Sequence, residues 1–160
     1  RHANPAMVGY RLDATLSSHG GVNRGVCRVD SAGHLQDVTE FIDIDTRDGK
    51  LAGNAPDGTR ALLAADTVVS LNCWGLTPDL LPGLEQGLRE FLAHAGERDE
   101  YFLPHAITQY LGAHGEALSV LPSSDAWLGL TYPGDREHVV ATIAALHAEG
   151  AYPSPLWSQP

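Results

Sequence analysis

Three polar residues fall where the surrounding chain is apolar and strand-forming: Glu40 at the end of LQDVTEF, Asn72 inside TVVSLNCW, and Asp125 two residues before Trp127. A buried polar group costs a few kcal/mol unless something hydrogen-bonds it. Carboxylates and an amide at the strand ends of an α/β sheet are suited to hold a sugar's hydroxyls and a divalent metal. The ordinary alternative is a satisfied core amide and two surface acids. Other chemistry is poorly marked. The eight histidines include no HExxH, and His94, His105, His138 and His147 lack a partner histidine one helical turn away. No GxSxG elbow marks Ser17, Ser18, Ser70 or Ser123 as a nucleophile. The loop SSHGGVNRG is rich in glycine but matches neither GxGxxG nor the Walker GK[ST], so it reads as a plain loop more readily than as a phosphate cradle.

The elements that would position these groups can be read from pattern. Strands are expected at Met7–Leu12, Gly25–Val29, Leu35–Phe41 and Thr67–Trp74, with the second and third paired antiparallel through the turn residues Asp30, Ser31 and Gly33. The near-continuous apolar run at 67–74 suits a central strand. Residues 43–59 are polar, with Asp-Gly at 48–49 and 57–58, and read as a surface excursion with one or two short edge strands and little chemistry. Thr77 and Pro78 open a helix with Leu80, Leu84, Leu88 and Leu92 at i, i+4 spacing, which Gly96 would stop. Gly83 and Gly87 inside it each cost ~1 kcal/mol against Ala, which is offset if close packing needs them. A second helix opens at Pro104 and ends at Gly112, and strands follow at Ala117–Leu121 and Ala126–Thr131. A last helix starts at Asp135, carries Val139, Val140, Ile143 and Leu146, and ends at Gly150. Strands first and then alternating helix and strand indicate an α/β layer with an antiparallel β insertion.

The chain has 160 residues, the length of one domain, and 43% apolar content, enough for one core. Nine arginines and Lys50 against twenty acids leave a charge of −10, which opposes a broad grip on nucleic acid or an anionic membrane. A compact polyanion could still be held by a few arginines or by Mg²⁺. No apolar run nears the ~20 residues of a membrane span, and the start has no signal-peptide apolar core. The expectation is a soluble, cytoplasmic protein in which Cys27 and Cys73, far apart and outside any CxxC, are buried reduced thiols. Arg1 precedes what reads as a strand, so the chain is expected to be a segment of something longer.

The succession GYRLDATLSSHGGVNRGVCRVD, TVVSLNCWGLTPDLLPGLEQGLREFL, DEYFLPHAITQYL, DAWLGLTY and AEGAYPSPLW resembles the C-terminal half of bacterial sugar nucleotidyltransferase family proteins, and it covers nearly the whole chain. The resemblance implies a Rossmann-like α/β/α nucleotide-diphospho-sugar transferase fold. Residues 1–160 would then be a single partial domain, the acceptor-binding half, without the nucleotide-binding half. It implies Mg²⁺-dependent transfer of a nucleoside monophosphate from a nucleoside triphosphate to a sugar 1-phosphate, with release of pyrophosphate. The reaction needs no protein nucleophile, and no catalytic side chain is assigned. Gly25 matches the glycine before the sugar-pocket strand, Glu40 the acid that accepts hydrogen bonds from sugar hydroxyls, and Asn72 a polar position facing the sugar. Trp127 belongs to the matching segment DAWLGLTY and is assigned to the pocket with them. Two departures stand out: Phe41 where relatives commonly carry a Lys or Arg directed at phosphate, leaving Arg24 or Arg28 to substitute, and Gly129 where many read the Asp of W-x-D-T-G. Asp125 is then the nearest candidate metal ligand. The half-sheet would expose apolar surface and favour association of copies into a homo-oligomer. A non-catalytic sugar- or nucleotide-binding regulatory module on the same fold is the alternative.

Overall fold

The computed structural model describes residues 4–155 except Ser18, Ala126, Thr131 and Ser154. Its centre is a seven-stranded mixed sheet flanked by three helices, and it is rich in strand. The strands are β1 (Ala6–Arg11), β2 (Val22–Val29), β3 (Leu35–Arg47), β4 (Lys50–Asn54), β5 (Arg60–Leu63), β6 (Val68–Gly75) and β7 (Ser119–Ser123). Their spatial order is β5-β4-β3-β2-β6-β1-β7. Only the β1–β7 pair among the described strands is parallel. The helices are α1 (Leu81–Leu92), entered through a single 3-10 turn at Pro78–Leu80, α2 (Leu103–His114) and α3 (Asp135–Ala148). No helix among the described residues is long and apolar enough to cross a membrane.

The β2–β3 hairpin forms as its turn chemistry requires. The Asp30 carboxylate accepts the amides of Ala32 and His34 at 2.9 Å each, and Gly33 takes φ +83°. The polar excursion is also strand-bearing: β3 runs on to Arg47 and folds back through β4 to the edge strand β5. Arg60 fastens these strands, donating to the carbonyls of Asp43 (3.2 Å) and Ala52 (3.1 Å) and to Asn54 Oδ1 (3.2 Å).

Two apolar clusters form the core. One gathers Met7, Cys27, Leu35, Leu80, Ile107, Leu111 and Leu118 beneath α1 and α2; the other gathers Leu12, Val22, Ile44 and Val69. The Cys27 thiol is pushed up to about 12, burial being the main cause and the Asp37 charge a lesser one.

Several expectations need correction. Helix α2 continues through Gly112 and ends at Gly115, whose φ of +67° gives the left-handed cap. Residues 127–130 are not a strand, and Ala126 and Thr131, the ends of that expected strand, lie outside the described residues. Cys73 is exposed rather than buried. Asp135 does not cap α3 by taking an amide inside the helix; its carboxylate accepts the Tyr132 amide just outside it, at 2.7 Å. The α1 stripe buries Leu80 and half-buries Leu84 but leaves Leu92 at 64% exposure. In α3 no residue is fully buried, and Val140 is 56% exposed. Both helices lie at the margin of the core, so periodic leucines and valines outrun the surface available to cover them.

Close packing explains the α1 glycines. A Cβ on Gly83 would run into the Tyr110 ring of α2, and one on Gly87 would lie 2.8 Å from the Tyr101 hydroxyl. The cost of overpacking, ~1–3 kcal/mol, should exceed the ~1 kcal/mol of helix propensity that Ala returns. Urea denaturation should therefore show Gly83→Ala destabilised. Gly112→Ala, at a position in α2 with nothing within 4 Å of the added carbon, should be stabilised by ~0.5–1 kcal/mol.

Candidate functional site

Gly25 pairs with Glu40 across β2–β3 and with Ser70 across β2–β6, so the three lie in one row across the middle of the sheet. A Cβ on Gly25 would stand 2.8 Å from Val38 Cγ1, 3.6 Å from Ser70 Cβ and 3.7 Å from Glu40 Oε2. The absent side chain thus leaves the floor of a cavity between a carboxylate and a hydroxyl. Its volume is about 250 Å³, and Gly25, Glu40, Asn72 and Trp127 all line it, with Arg24 and Pro104 among the other walls. The four residues assigned to a sugar pocket from sequence come together here.

Asn72 reaches this cavity by an unexpected route. Between Ser70 and Trp74 of β6 lie three residues, while their β1 partners Gly9 and Met7 are separated by Val8 alone. The extra residues make a bulge, Asn72 takes φ +58°, and its amide donates to Ser70 Oγ at 3.2 Å. Asn72 is therefore exposed at the rim, not a buried mid-strand amide. Asn tolerates left-handed backbone better than other non-glycine residues.

Arg24 is buried, with 7% of its surface exposed. Its Nε donates to Thr15 Oγ1 (3.1 Å), one terminal nitrogen to the Asn23 carbonyl (2.7 Å) and the other to the Thr15 carbonyl. The guanidinium lies over the Trp127 indole, 4.8 Å from the ring centroid. Trp127 is itself anchored by its amide to the Ala14 carbonyl at 3.2 Å. Burial lowers the Arg24 pKa, and the Glu40 charge pulls it back up. For Glu40 burial raises the pKa, Arg24 lowers it and Glu100 raises it, with a net upward shift. The carboxylate is thus poorly solvated and ready to accept hydrogen bonds.

The remaining candidates fall elsewhere. Asp125 is exposed and absent from the cavity wall; its bonds are local, its amide donating to Ser123 Oγ (3.1 Å) and its carboxylate accepting from that hydroxyl (3.3 Å). Arg28 is exposed opposite Asp37. Phe41 packs on the Leu12–Val22–Ile44–Val69 cluster. A Cβ on Gly129 would meet the Trp127 ring, so glycine there has a packing reason. Among the described residues no three His, Cys, Asp or Glu side chains are grouped to hold a metal ion. Glu40, the single carboxylate among the described residues of the cavity wall, is a poor donor set for Mg²⁺.

Pattern reading missed three features. Thr15, fully buried, is the acceptor that seats Arg24. His19 Nδ1 pairs with Asp135 at 2.9 Å on the far side of Trp127, joining segments over a hundred positions apart in the chain. Val38 and Glu40 also border a second, larger cavity under the β4–β5 turn. Of these, only the Gly-rich loop around His19 carries any signal in the sequence, and its pattern is that of a plain loop.

Neither a protein-family model nor a curated protein matches the chain.

A half-buried carboxyl with a raised pKa binds protons more tightly when folded, so it subtracts stability as pH rises through the window from its ordinary value near 4.5 to its raised one. Glu40→Gln removes that loss. Thermal melts should show the variant at least as stable as the parent at pH 7, with the difference vanishing at pH 3. A variant less stable at pH 7 would show that the carboxylate is held by contacts stronger than its desolvation.

Proposed function

We propose that this chain is the acceptor-binding half of a nucleotidyltransferase and that the Glu40 cavity holds the hydroxylated ring of a sugar 1-phosphate or similar small phosphorylated alcohol. The observation that carries the reading is the convergence of Gly25, Glu40, Asn72 and Trp127, four residues spread over a hundred positions, on one cavity. The resemblance of the ordered segments to sugar nucleotidyltransferases supplies the reaction and the finer, Rossmann-like description of the fold. In that reaction an oxygen of the sugar phosphate displaces pyrophosphate from the α-phosphorus of a nucleoside triphosphate.

The residues here orient the acceptor. Glu40 accepts hydroxyl hydrogens, Asn72 can donate and accept, and the absent side chain of Gly25 lets the ring approach the sheet. The Trp127 face opposes an apolar surface of the sugar ring. Mg²⁺ is assigned in this reading to the triphosphate and not to this cavity, since Glu40 is the only carboxylate among the described residues of its wall and Asp125 lies outside it.

The second reading is a non-catalytic sugar-binding regulatory module. One observation favours it: each nitrogen of Arg24, the only cation among the described residues of the cavity wall, already makes a hydrogen bond to Thr15 or Asn23, which leaves at most two of its five N–H donors for a phosphate.

Titration of the 160-residue chain with hexoses and their 1-phosphates, followed by NMR, distinguishes the readings. The acceptor half should bind a sugar 1-phosphate at least as tightly as the free sugar. Glu40→Ala should weaken both about tenfold or more, as expected for ~1.5–3 kcal/mol in a charge-assisted hydrogen bond. Preference for the free sugar supports the module, and failure to bind any sugar ends both readings. Pyrophosphate release by this chain with Mg²⁺, a nucleoside triphosphate and a sugar 1-phosphate would end the assignment to the acceptor half alone.

A further inference from the structure

Glu40 stands between two chambers of one cleft. On one side is the polar cavity of about 250 Å³ already described. On the other, sharing Val38 and Glu40 with it, lies a chamber of about 760 Å³ bounded by β3, the β4–β5 turn and the start of α2. Typical small-molecule sites enclose roughly 300–1,000 Å³. The polar chamber alone is smaller than that range, whereas the larger one lies well inside it.

The two chambers differ in chemistry. The larger is walled by Ile42, Ala55, Pro56 and Phe102, with Asn54 and His105 among its polar groups. Ile42 and Phe102 are 49% and 43% exposed, unusually open for large apolar side chains beside a polar site. The walls are also held in place. Arg60 ties the β4–β5 turn to Asp43, Ala52 and Asn54, and Asp57 closes that turn by accepting the Thr59 amide at 2.9 Å. Helix α2 borders both chambers, with Pro104 on the polar one and Phe102 and His105 on the apolar one. A rigid cleft that changes from polar to apolar at one carboxylate suits a ligand that changes in the same way.

We infer that the ligand is a sugar carrying an apolar or aromatic substituent: the hydroxylated ring sits in the polar chamber against Glu40 and Asn72, and the substituent extends past Glu40 into the chamber between Pro56 and Phe102. The inference rests on reading the Glu40 cavity as the sugar site, and it adds the substrate class. Burying an aromatic ring against Pro56 and Phe102 supplies the apolar contact that a bare sugar lacks.

The test titrates the 160-residue chain with matched methyl and benzyl ethers of glucose, galactose and mannose, substituted in turn at O2, O3, O4 and O6 so that the anomeric oxygen stays free for phosphate, followed by NMR shifts. For at least one sugar and position the benzyl ether should bind about tenfold or more tightly than the methyl ether. Phe102→Ala should bring that benzyl ether down to the affinity of the methyl one, and Pro56→Asp should do the same by placing a charge in the chamber. Circular dichroism of both exposed-site variants checks that the fold is retained. Binding of methyl ethers with no benzyl advantage at any position overturns the inference and leaves the sugar site standing. A benzyl advantage that survives both substitutions also overturns it, since the substituent then lies elsewhere. Failure of every sugar to bind overturns the sugar site together with the inference.

Discussion

The guanidinium of Arg24 is the one charged side chain among the described residues that is buried, and the arrangement around the cavity follows from how its burial is compensated. A buried cation costs several kcal/mol unless its donors are matched. Thr15 does most of the matching, through both its hydroxyl and its carbonyl, and its own hydroxyl donates to Leu12 O at 3.0 Å. The turn after β1 is thereby tied to β2. Trp127, laid against the other face of the same guanidinium and anchored to Ala14, brings in the segment after β7. Two neighbouring stretches and a third about a hundred positions on meet at one planar cation. The indole so held is a wall of the Glu40 cavity on one side and of the His19–Asp135 recess on the other.

What could be read from sequence and what could not divides along physical lines. Features governed by local chemistry were legible. The Asp30–Gly33 turn, the β2–β3 pairing, the helical turn at Pro78 that leads into α1, the start of α2 within one residue of Pro104, and the close approach at Gly83 and Gly87 all depend on residues within a few positions or on one contacting side chain. Features governed by tertiary competition were not. The β6 bulge that exposes Asn72 is a mismatch in length between two strands some sixty residues apart, which no pattern in TVVSLNCW announces. Gly112 carries the same local signal as Gly115, and only the backbone decides which one leaves the helix. Gly25, Glu40, Asn72 and Trp127 line one cavity, which no local pattern around any of them specifies, while Asp125, the nearest acid to the missing one, lies off the cavity wall. The polar excursion at 43–59 looked chemically quiet because its turn residues are those of any surface loop. Its position over Glu40 arises from the length of β3.

The electrostatics of the cavity constrain what it can bind. Glu40 and Arg24 both line the cavity, and the charge of each moves the other's proton affinity against the push of burial. Each nitrogen of the Arg24 guanidinium already makes one hydrogen bond to Thr15 or Asn23, so the open charged group of the wall is the Glu40 carboxylate. A phosphate dianion placed on the floor at Gly25 would face a carboxylate oxygen, the unfavourable like-charge arrangement. Hydroxyl groups meet the opposite situation, because each can donate to a carboxylate made more receptive by its own partial desolvation. If the proposed sugar phosphate occupies this cavity, its neutral, hydroxyl-bearing part lies against Glu40 and its phosphate points away. With Gly25 beneath it and Trp127 at one wall, such a ring would have two ways out, towards the rim at Asn72 or past Glu40 into the apolar chamber. A charged substituent is compatible with the first and an apolar one with the second.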